Sequence, residues 1–334
     1  MPLLERDQVG KREWLADLIT RVDAKSKPLL AMVPKGEPIM NMLMEYQVDD
    51  FEEPADIAVE DGVDAESFDN ASPNRALLQT YAMKVQDAAM VSDLAENVSE
   101  VAGLSKGELA ESIMKKLEKV GRSLEAFIGG DQEHQAGAAG TPYKIRGLGQ
   151  WISATAQATL PVNENYLTPT GSIYSGTIAD LDNDDVNDLL ESSWLETGKE
   201  MDFELIAGSK LRRRFSQLTR TQAGTTNTFS VIRTYNTNFA RKIDDVVDQF
   251  QGDYGKINIH SSQFNAHASF GGSAAANLRR GYCVPMSLLS LHYKRKPRVR
   301  QLEDRGGGPR FLVDAICALR VKSPLPLIKF ASTS

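Results

Sequence analysis

With 334 residues and 41% hydrophobic content, the chain can bury a sizeable core without a disulfide or metal staple. A formal net charge of -7 argues against a free nucleic-acid binder. The only cysteines, Cys283 and Cys317, make neither a disulfide framework nor a metal cluster and fit a reducing compartment.

The first residues are charged, and no apolar core of signal-peptide length follows them. No apolar run approaches the roughly 18 residues that span a bilayer, so no membrane partner is expected. From Glu37 to Asn70 there are twelve acidic residues and no Lys or Arg. Glu52, Glu53, Asp56, Glu60 and Asp61 lie here beside Met40, Met44, Tyr46, Phe51, Ile57 and Val59. That apolar content argues against a merely solvated tail. The alternation Ile57-Ala58-Val59 suits a strand. Residues 37–72 read as an extended arm with an acidic face and an apolar side it cannot bury alone.

Residues 74–102 read as strand, turn and connecting segment. Over 105–128, Leu109, Ile113, Leu117, Val120, Leu124 and Phe127 recur at steps of three and four, which predicts one face of a long helix. Ser105 and Glu108 make a capping-box pattern at its start. Gly129 and Gly130 supply a stop where a left-handed residue is wanted. Gly121 at mid-helix suggests close backbone packing. Residues 129–142 read as a flexible loop, and Ile145 to Ser153 as a compact segment that buries Trp151.

A second helix is expected from about Asp184 to before Gly198, with Val186, Leu189, Leu190 and Trp194 on one face. A short strand, Phe203 to Ala207, precedes a basic helix from Lys210 to Arg220 capped by Ser209. Gly252-Asp253-Tyr254-Gly255 between two strand-like runs predicts a β-hairpin. Residues 265–281 are small and read as loop. Phe311 to Val321 reads as a strand.

Catalytic motifs are scarce. The histidines His134, His260, His267 and His292 lie in no recognisable nucleophile motif. Gly306-Gly307-Gly308 lacks the Lys-Ser/Thr of a phosphate loop. Asp180, Asp182, Asp184, Asp188 and Glu191 approach calcium-loop spacing, but Asp185 stands where the turn needs Gly, and a helix N-terminus explains the same residues. From Ser209 to Arg310, eighteen basic residues face six acidic ones. Arg212, Arg213, Arg214 and Arg220 are expected on a helical face, and Lys294, Arg295 and Lys296 form a second cluster. Both suit phosphate or another subunit's acidic arm, against the simpler reading of solvated faces.

These segments in this order resemble the major capsid proteins of tailed bacteriophages. Ile145-Arg146-Gly147-Leu148-Gly149-Gln150-Trp151-Ile152-Ser153 carries the resemblance most specifically. Phe51 to Ala65 resembles the extended loop of that family, and Asn74-Arg75 with Val91-Ser92-Asp93 its returning strand. Glu108-Leu109-Ala110 opens the long helix. Arg122-Ser123-Leu124-Glu125 matches an Arg-Asp-Leu-Glu-type turn except at Ser123, while Gly252 to Gly255 and Val321 to Pro324 fit the later hairpin and last strand. The match runs over about residues 29–325; residues 261–310 depart most.

The resemblance implies an α+β, Hong Kong 97-type capsid fold. It assigns residues 1–29 to an N-terminal arm, 30–90 to the extended loop and 91–180 to a peripheral domain with its spine helix at 105–128. Residues 181–290 become the axial domain, and 291–334 return to the peripheral domain. The implied function is a virion shell subunit, assembled in the host cytoplasm into pentamers and hexamers around double-stranded DNA. Implied partners are further copies of the chain, with scaffold, portal and decoration proteins, and packaged DNA held without sequence preference on the inner face. No catalytic residue, cofactor or metal is implied, and the cross-linking chemistry of some relatives is not carried over. The expected subunit-interface residues are Glu52, Glu53, Asp56, Glu60, Asp61, Arg212, Arg213, Arg214, Arg220, Lys294, Arg295 and Lys296. The alternatives are an encapsulin-like nanocompartment shell and, from another class, a metal-dependent enzyme using Asp180 to Glu191.

Overall fold

The computed structural model describes residues 27–51, 54–62, 64, 70, 72, 74–96, 107–155, 166–218, 247–265 and 267–332. They divide into two units, one drawn from Gln86–Val120 and Pro297–Asp314, the other from Ser26–Val85, Gly121–Lys296 and Ala315–Ser334. In chain order the elements are α1 (Pro28–Met32), β1 (Leu43–Val48), β2 (Ala76–Tyr81), β3 (Met83–Met90), α2 (Asp93–Glu96), α3 (Gly107–Ile128) and α4 (Leu148–Trp151). There follow β4 (Ile173–Tyr174), α5 (Asn183–Thr197), β5 (Met201–Ala207), α6 (Ser209–Leu218), β6 (Gln249–Gly252) and β7 (Gly255–Ser261). The last are α7 (Ala274–Arg279), β8 (Gly281–Val284), β9 (Leu289–Leu302), β10 (Arg310–Val321) and β11 (Ile328–Phe330).

The larger unit is built on a mixed six-stranded sheet in the order β4-β11-β8-β5-β7-β6. The β5–β7 and β11–β4 pairs are parallel, and the other pairs are antiparallel. Phe203, Leu205 and Ala207 alternate along β5 into one core, where α5 sends Val186, Leu189 and Leu190 and α6 sends Leu211, Phe215 and Leu218. Phe215 meets Phe330 edge-on, with ring centroids 5.7 Å apart. Full burial of each such side chain contributes about 1.5–3 kcal/mol, so the period-3.6 apolar stripes explain why both helices lie on this sheet.

Helix α5 shows how the acidic spacing is used. The Asp182 carboxylate accepts the Asp185 N–H at 2.9 Å, and Asp185 accepts the Asp182 N–H at 3.0 Å, a reciprocal capping box. Gly198 closes the helix with φ of 62°, a conformation that penalises a Cβ. Substituting Asp182→Ala should lower stability by about 1 kcal/mol, read as a shifted urea midpoint at unchanged slope. Among the described residues, no group of three or more His, Cys, Asp or Glu is arranged to hold a metal ion.

Strands β3, β10 and β9 form a second sheet in the order β3-β10-β9. In the smaller unit, Asp87 accepts Lys116 at 3.0 Å and Lys119 at 2.8 Å. Burial raises its pKa, but the two ammonium groups outweigh this and hold the carboxyl below its usual range. The Asp304 carboxylate accepts the N–H groups of Gly306, Gly307 and Gly308 at 2.9, 3.3 and 3.2 Å. Donors that a bound phosphate would need are thus already taken by the loop's own aspartate.

Several expectations need correction. Residues 54–60, with Ile57 and Val59, carry no regular secondary structure, and no described strand pairs with them. Gly129 and Gly130 do not end α3 in a left-handed conformation. They are small because of what packs on them: a methyl at Gly130 would collide with the Gln132 side chain, and one at Gly129 would sit 3.4 Å from Asn265 Oδ1. Ser209 is the first residue of α6 and not its cap; the Gly208 carbonyl accepts the Arg212 N–H at 2.9 Å. Residues 129–142 are not a free loop, since Gln135 bridges to Lys144 and Ala138 to Thr141. Ser105 lies outside the described residues.

At Gly121 the expected close backbone packing is not found among the described residues. Among the described residues, the atoms nearest to a methyl there belong to the Lys27 side chain, at 3.4 Å or more. Gly121→Ala should therefore stabilise the chain, by about 0.5–1 kcal/mol, measured as a rise in thermal midpoint.

Candidate assembly surfaces

The acidic arm has a firm base. Strands β1 and β2 pair antiparallel from Leu43↔Tyr81 to Val48↔Ala76. The Tyr46 hydroxyl donates to the Val321 carbonyl at 2.6 Å, and the Arg320 guanidinium lies 4.7 Å from the Tyr46 ring centre. Tyr81 stacks on His134 with centroids 5.4 Å apart and also contacts Tyr143 at 5.7 Å. Beneath the ribbon, Ile39, Ala82 and Ala318 form a small core with Met42, Met44 and Ile316. Past the base, Arg75 and Asp49 pair at 2.9 Å, and the Arg75 bond holds the Asp49 carboxyl below its usual range.

Beyond that pair no strand pairing supports the arm among the described residues. Phe51 is 96% exposed, Ile57 86% and Val59 79%. Asp56, Glu60 and Asp61 are exposed with them. Glu52 and Glu53 lie outside the described residues. The segment therefore presents apolar side chains and carboxylates together, and its own subunit covers neither.

The basic residues divide differently from the sequence expectation. Successive helical positions are about 100° apart, so Arg212, Arg213 and Arg214 cannot share one face. Arg212 bonds Asp248 at 2.7 Å and Ser261 Oγ at 2.9 Å, while Arg214 donates to the Leu181 carbonyl at 2.8 Å. Both work inside their own subunit. Arg213 is exposed, and Arg220 lies outside the described residues.

Strand β9 presents the longer basic run, and its strand character escaped the sequence reading. Leu289 to His292 are buried, and from Lys294 onward the strand is mostly exposed. Lys294, Lys296, Arg298 and Arg300 share one parity of the strand, while Arg295 falls on the other; Lys294 donates to the Met40 carbonyl at 2.9 Å. The available signal was the alternation Leu289, Leu291, Tyr293 running into this basic repeat.

The Gly-Leu-Gly-Gln-Trp segment is buried structure and not a surface. Gly149 donates its N–H to the Gly130 carbonyl at 3.0 Å, and Gly147 to Gln132 at the same distance. A methyl on Gly147 would run into the Gly130 carbonyl, and one on Gly149 into the Asp131 carboxylate. Asp131 pairs with Arg280, and Lys329 stands 3.7 Å away while donating to the Gly149 carbonyl at 2.6 Å. Burial, and then the Arg280 charge, push the Lys329 ammonium down to about 8. Arg146 is 2% exposed, donates to the Gln150 carbonyl at 2.9 Å and lies 5.0 Å from the Trp151 ring centre. The glycines let the chain close around these charges, and the Trp151 ring lies against Arg146.

A family profile described as SU10 major capsid protein matches residues 5–331. The chain belongs to this capsid-protein family. Solved structures agree on the fold. The cyanophage A-1(L) capsid matches with a TM-score of 0.62 at 12% identity, over 99% of each chain. The capsid of cyanophage P-SCSP1u gives 0.62 at 10% identity, over 97% of this chain and 93% of that one. The capsid of a native GTA particle gives 0.60 at 12% identity, over 98% and 97%. No curated protein matches. The α+β capsid fold expected from the sequence is the one found, and the capsid subunit's place is the virion.

Proposed function

We propose that this major capsid protein acts by packing against its own copies, as pentamers and hexamers of an icosahedral shell around double-stranded DNA, and that the acidic arm lies on basic surface of an adjacent subunit. One observation carries the second part: exposed Phe51, Ile57 and Val59 are interleaved with carboxylates that have no counter-charge in their own segment. The complementary surface offered by this chain is the exposed basic run of β9, with Arg213 as a separate contact. Matched fields set register and encounter rate, and apolar burial supplies most of the binding energy.

On this reading, residues 30–90 form the extended loop, 91–180 the peripheral domain, 181–290 the axial domain, and 291–334 return to the peripheral domain after the 1–29 arm. Scaffold, portal and decoration proteins are further partners, and basic residues not used between subunits face packaged DNA without reading its sequence. Assembly takes place in the host cytoplasm.

The test reverses Glu52, Glu53 and Asp56 to Lys and follows assembly by light scattering and electron microscopy across salt concentrations. The expected result is slowed or misdirected assembly that depends on salt differently from wild type. Closed shells formed at the wild-type rate at every salt concentration would refute the arm's electrostatic role.

A further inference from the structure

Strand β9 is the last strand of its sheet, with β10 on one side only. The direction of its backbone groups follows from two contacts. Lys322, just past β10, donates its N–H to the carbonyl of Leu288, just before β9, at 2.9 Å. Even-numbered positions here therefore turn toward β10. Leu291 turns the opposite way: it donates its N–H to the Pro34 carbonyl at 2.8 Å and accepts the Gly36 N–H at 3.0 Å. Strand alternation carries that outward direction on to Tyr293, Arg295, Pro297, Val299 and Gln301. Pro297 suits such a place, because a sheet tolerates proline where its missing N–H would face away from the ladder. The edge has already taken residues 34–36 of its own chain, through the parallel bridge from Lys35 to Leu291. Beyond that bridge, no strand among the described residues pairs with it.

We propose, resting on the docking of the acidic arm argued above, that this edge takes residues 56–60 of a second copy as an added strand, with Ala58 opposite Arg298. In a strand, residues 56, 58 and 60 share one face, as do Lys296, Arg298 and Arg300 of β9. Asp56 and Glu60 would stand about 13 Å apart, the same spacing as Lys296 and Arg300. Between those two cations, Arg298 is paired at 3.1 Å with Asp314 of its own subunit, and the arm carries uncharged Ala58 at the matching place. On the other face Ile57 and Val59 meet Pro297 and Val299, and all four are exposed in the free subunit. Asp56 Oδ1 accepts the Ala58 N–H at 3.1 Å, and its second oxygen can meet a cation.

The same features select against the other strand that every copy offers, β9 itself. Two β9 edges side by side would set one row of cations against another, and Pro297 would leave a gap in the ladder. The acidic arm supplies the opposite charge and an apolar alternation of the right period.

Disulfide linking in assembled full-length chain tests this, because the native Cys283 and Cys317 are buried. Directly opposed residues on paired strands point to the same side. Ile57→Cys should therefore link to Val299→Cys in an antiparallel pair or to Pro297→Cys in a parallel one, and at least tenfold less to Lys296→Cys or Arg300→Cys. Each pair is carried on one chain, so links between copies appear as a ladder on a non-reducing gel. Equal linking at all four positions, or at none, would overturn the added strand. So would a dimer formed by Val299→Cys alone, which would show two β9 edges pairing. The charge-reversal assay reads the underlying contact separately: altered salt dependence with links that ignore parity removes only the strand, and wild-type assembly without links removes both. If the cysteine chains do not assemble, hydrogen exchange of the wild type decides. Peptides covering 298–302 should exchange at least tenfold more slowly in particles than in free subunits, and unchanged exchange would overturn the proposal.

Discussion

Asp131→Ala is expected to lower the unfolding free energy of the full chain by about 3–5 kcal/mol. The carboxylate neutralises Arg280 and approaches Lys329 inside the protein, where their side chains are only 18% and 13% exposed. Removing it leaves two cations close together and away from water, which costs far more than the pair itself contributes. Asp131→Asn should recover some hydrogen bonding but not the charge, and fall between the two. Urea denaturation followed by tryptophan fluorescence gives the number. A loss under about 1 kcal/mol for the alanine variant would mean that water reaches this cluster.

Gly147→Ala should be among the most damaging single-methyl changes at the described glycines, at or above the top of the usual range of about 1–3 kcal/mol for overpacking. Its new methyl would press on the Gly130 backbone carbonyl, which cannot swing aside as a side chain can. The same stretch of backbone accepts the Gly149 N–H, so relief at one point breaks a bond at another. The variant should give little soluble full-length chain at 37 °C and a lowered thermal midpoint at 25 °C expression. Wild-type yield and midpoint would refute the crowding argument. Gly121→Ala, expected to stabilise, is the matched control: it adds the same methyl where there is room.

The sequence was most legible where burial is periodic. The stripe from Leu109 to Phe127 marks α3, and the Gly252–Gly255 turn marks the β6–β7 hairpin, because each pattern depends on local geometry alone. The capsid resemblance rested on Ile145 to Ser153, where two glycines and a tryptophan satisfy a tight packing demand. Partner choice was less legible. Arg212 and Arg214 look alike in the sequence as surface cations, yet residues 36 and 33 positions away along the chain engage them. The Ile57-Ala58-Val59 alternation has strand character without a strand, because pairing needs a second segment and none of the described residues supplies one. Strand β9 was hidden by its charge: half its length is basic and exposed, and apolar periodicity cannot report an exposed strand.

The union of a stiff base with a naked tip has a kinetic consequence for the free subunit. Three uncovered apolar side chains on an extended segment would ordinarily seed aggregation between arms. The twelve carboxylates from Glu37 to Asn70 make arm-to-arm contact repulsive at neutral pH while leaving arm-to-cation contact attractive. If the arm docks as proposed, the charge would act as a selectivity filter on a sticky surface, rejecting the identical segment and admitting a basic one. High salt removes the filter and leaves the stickiness, so newly made subunits should clump at ionic strengths that finished particles tolerate.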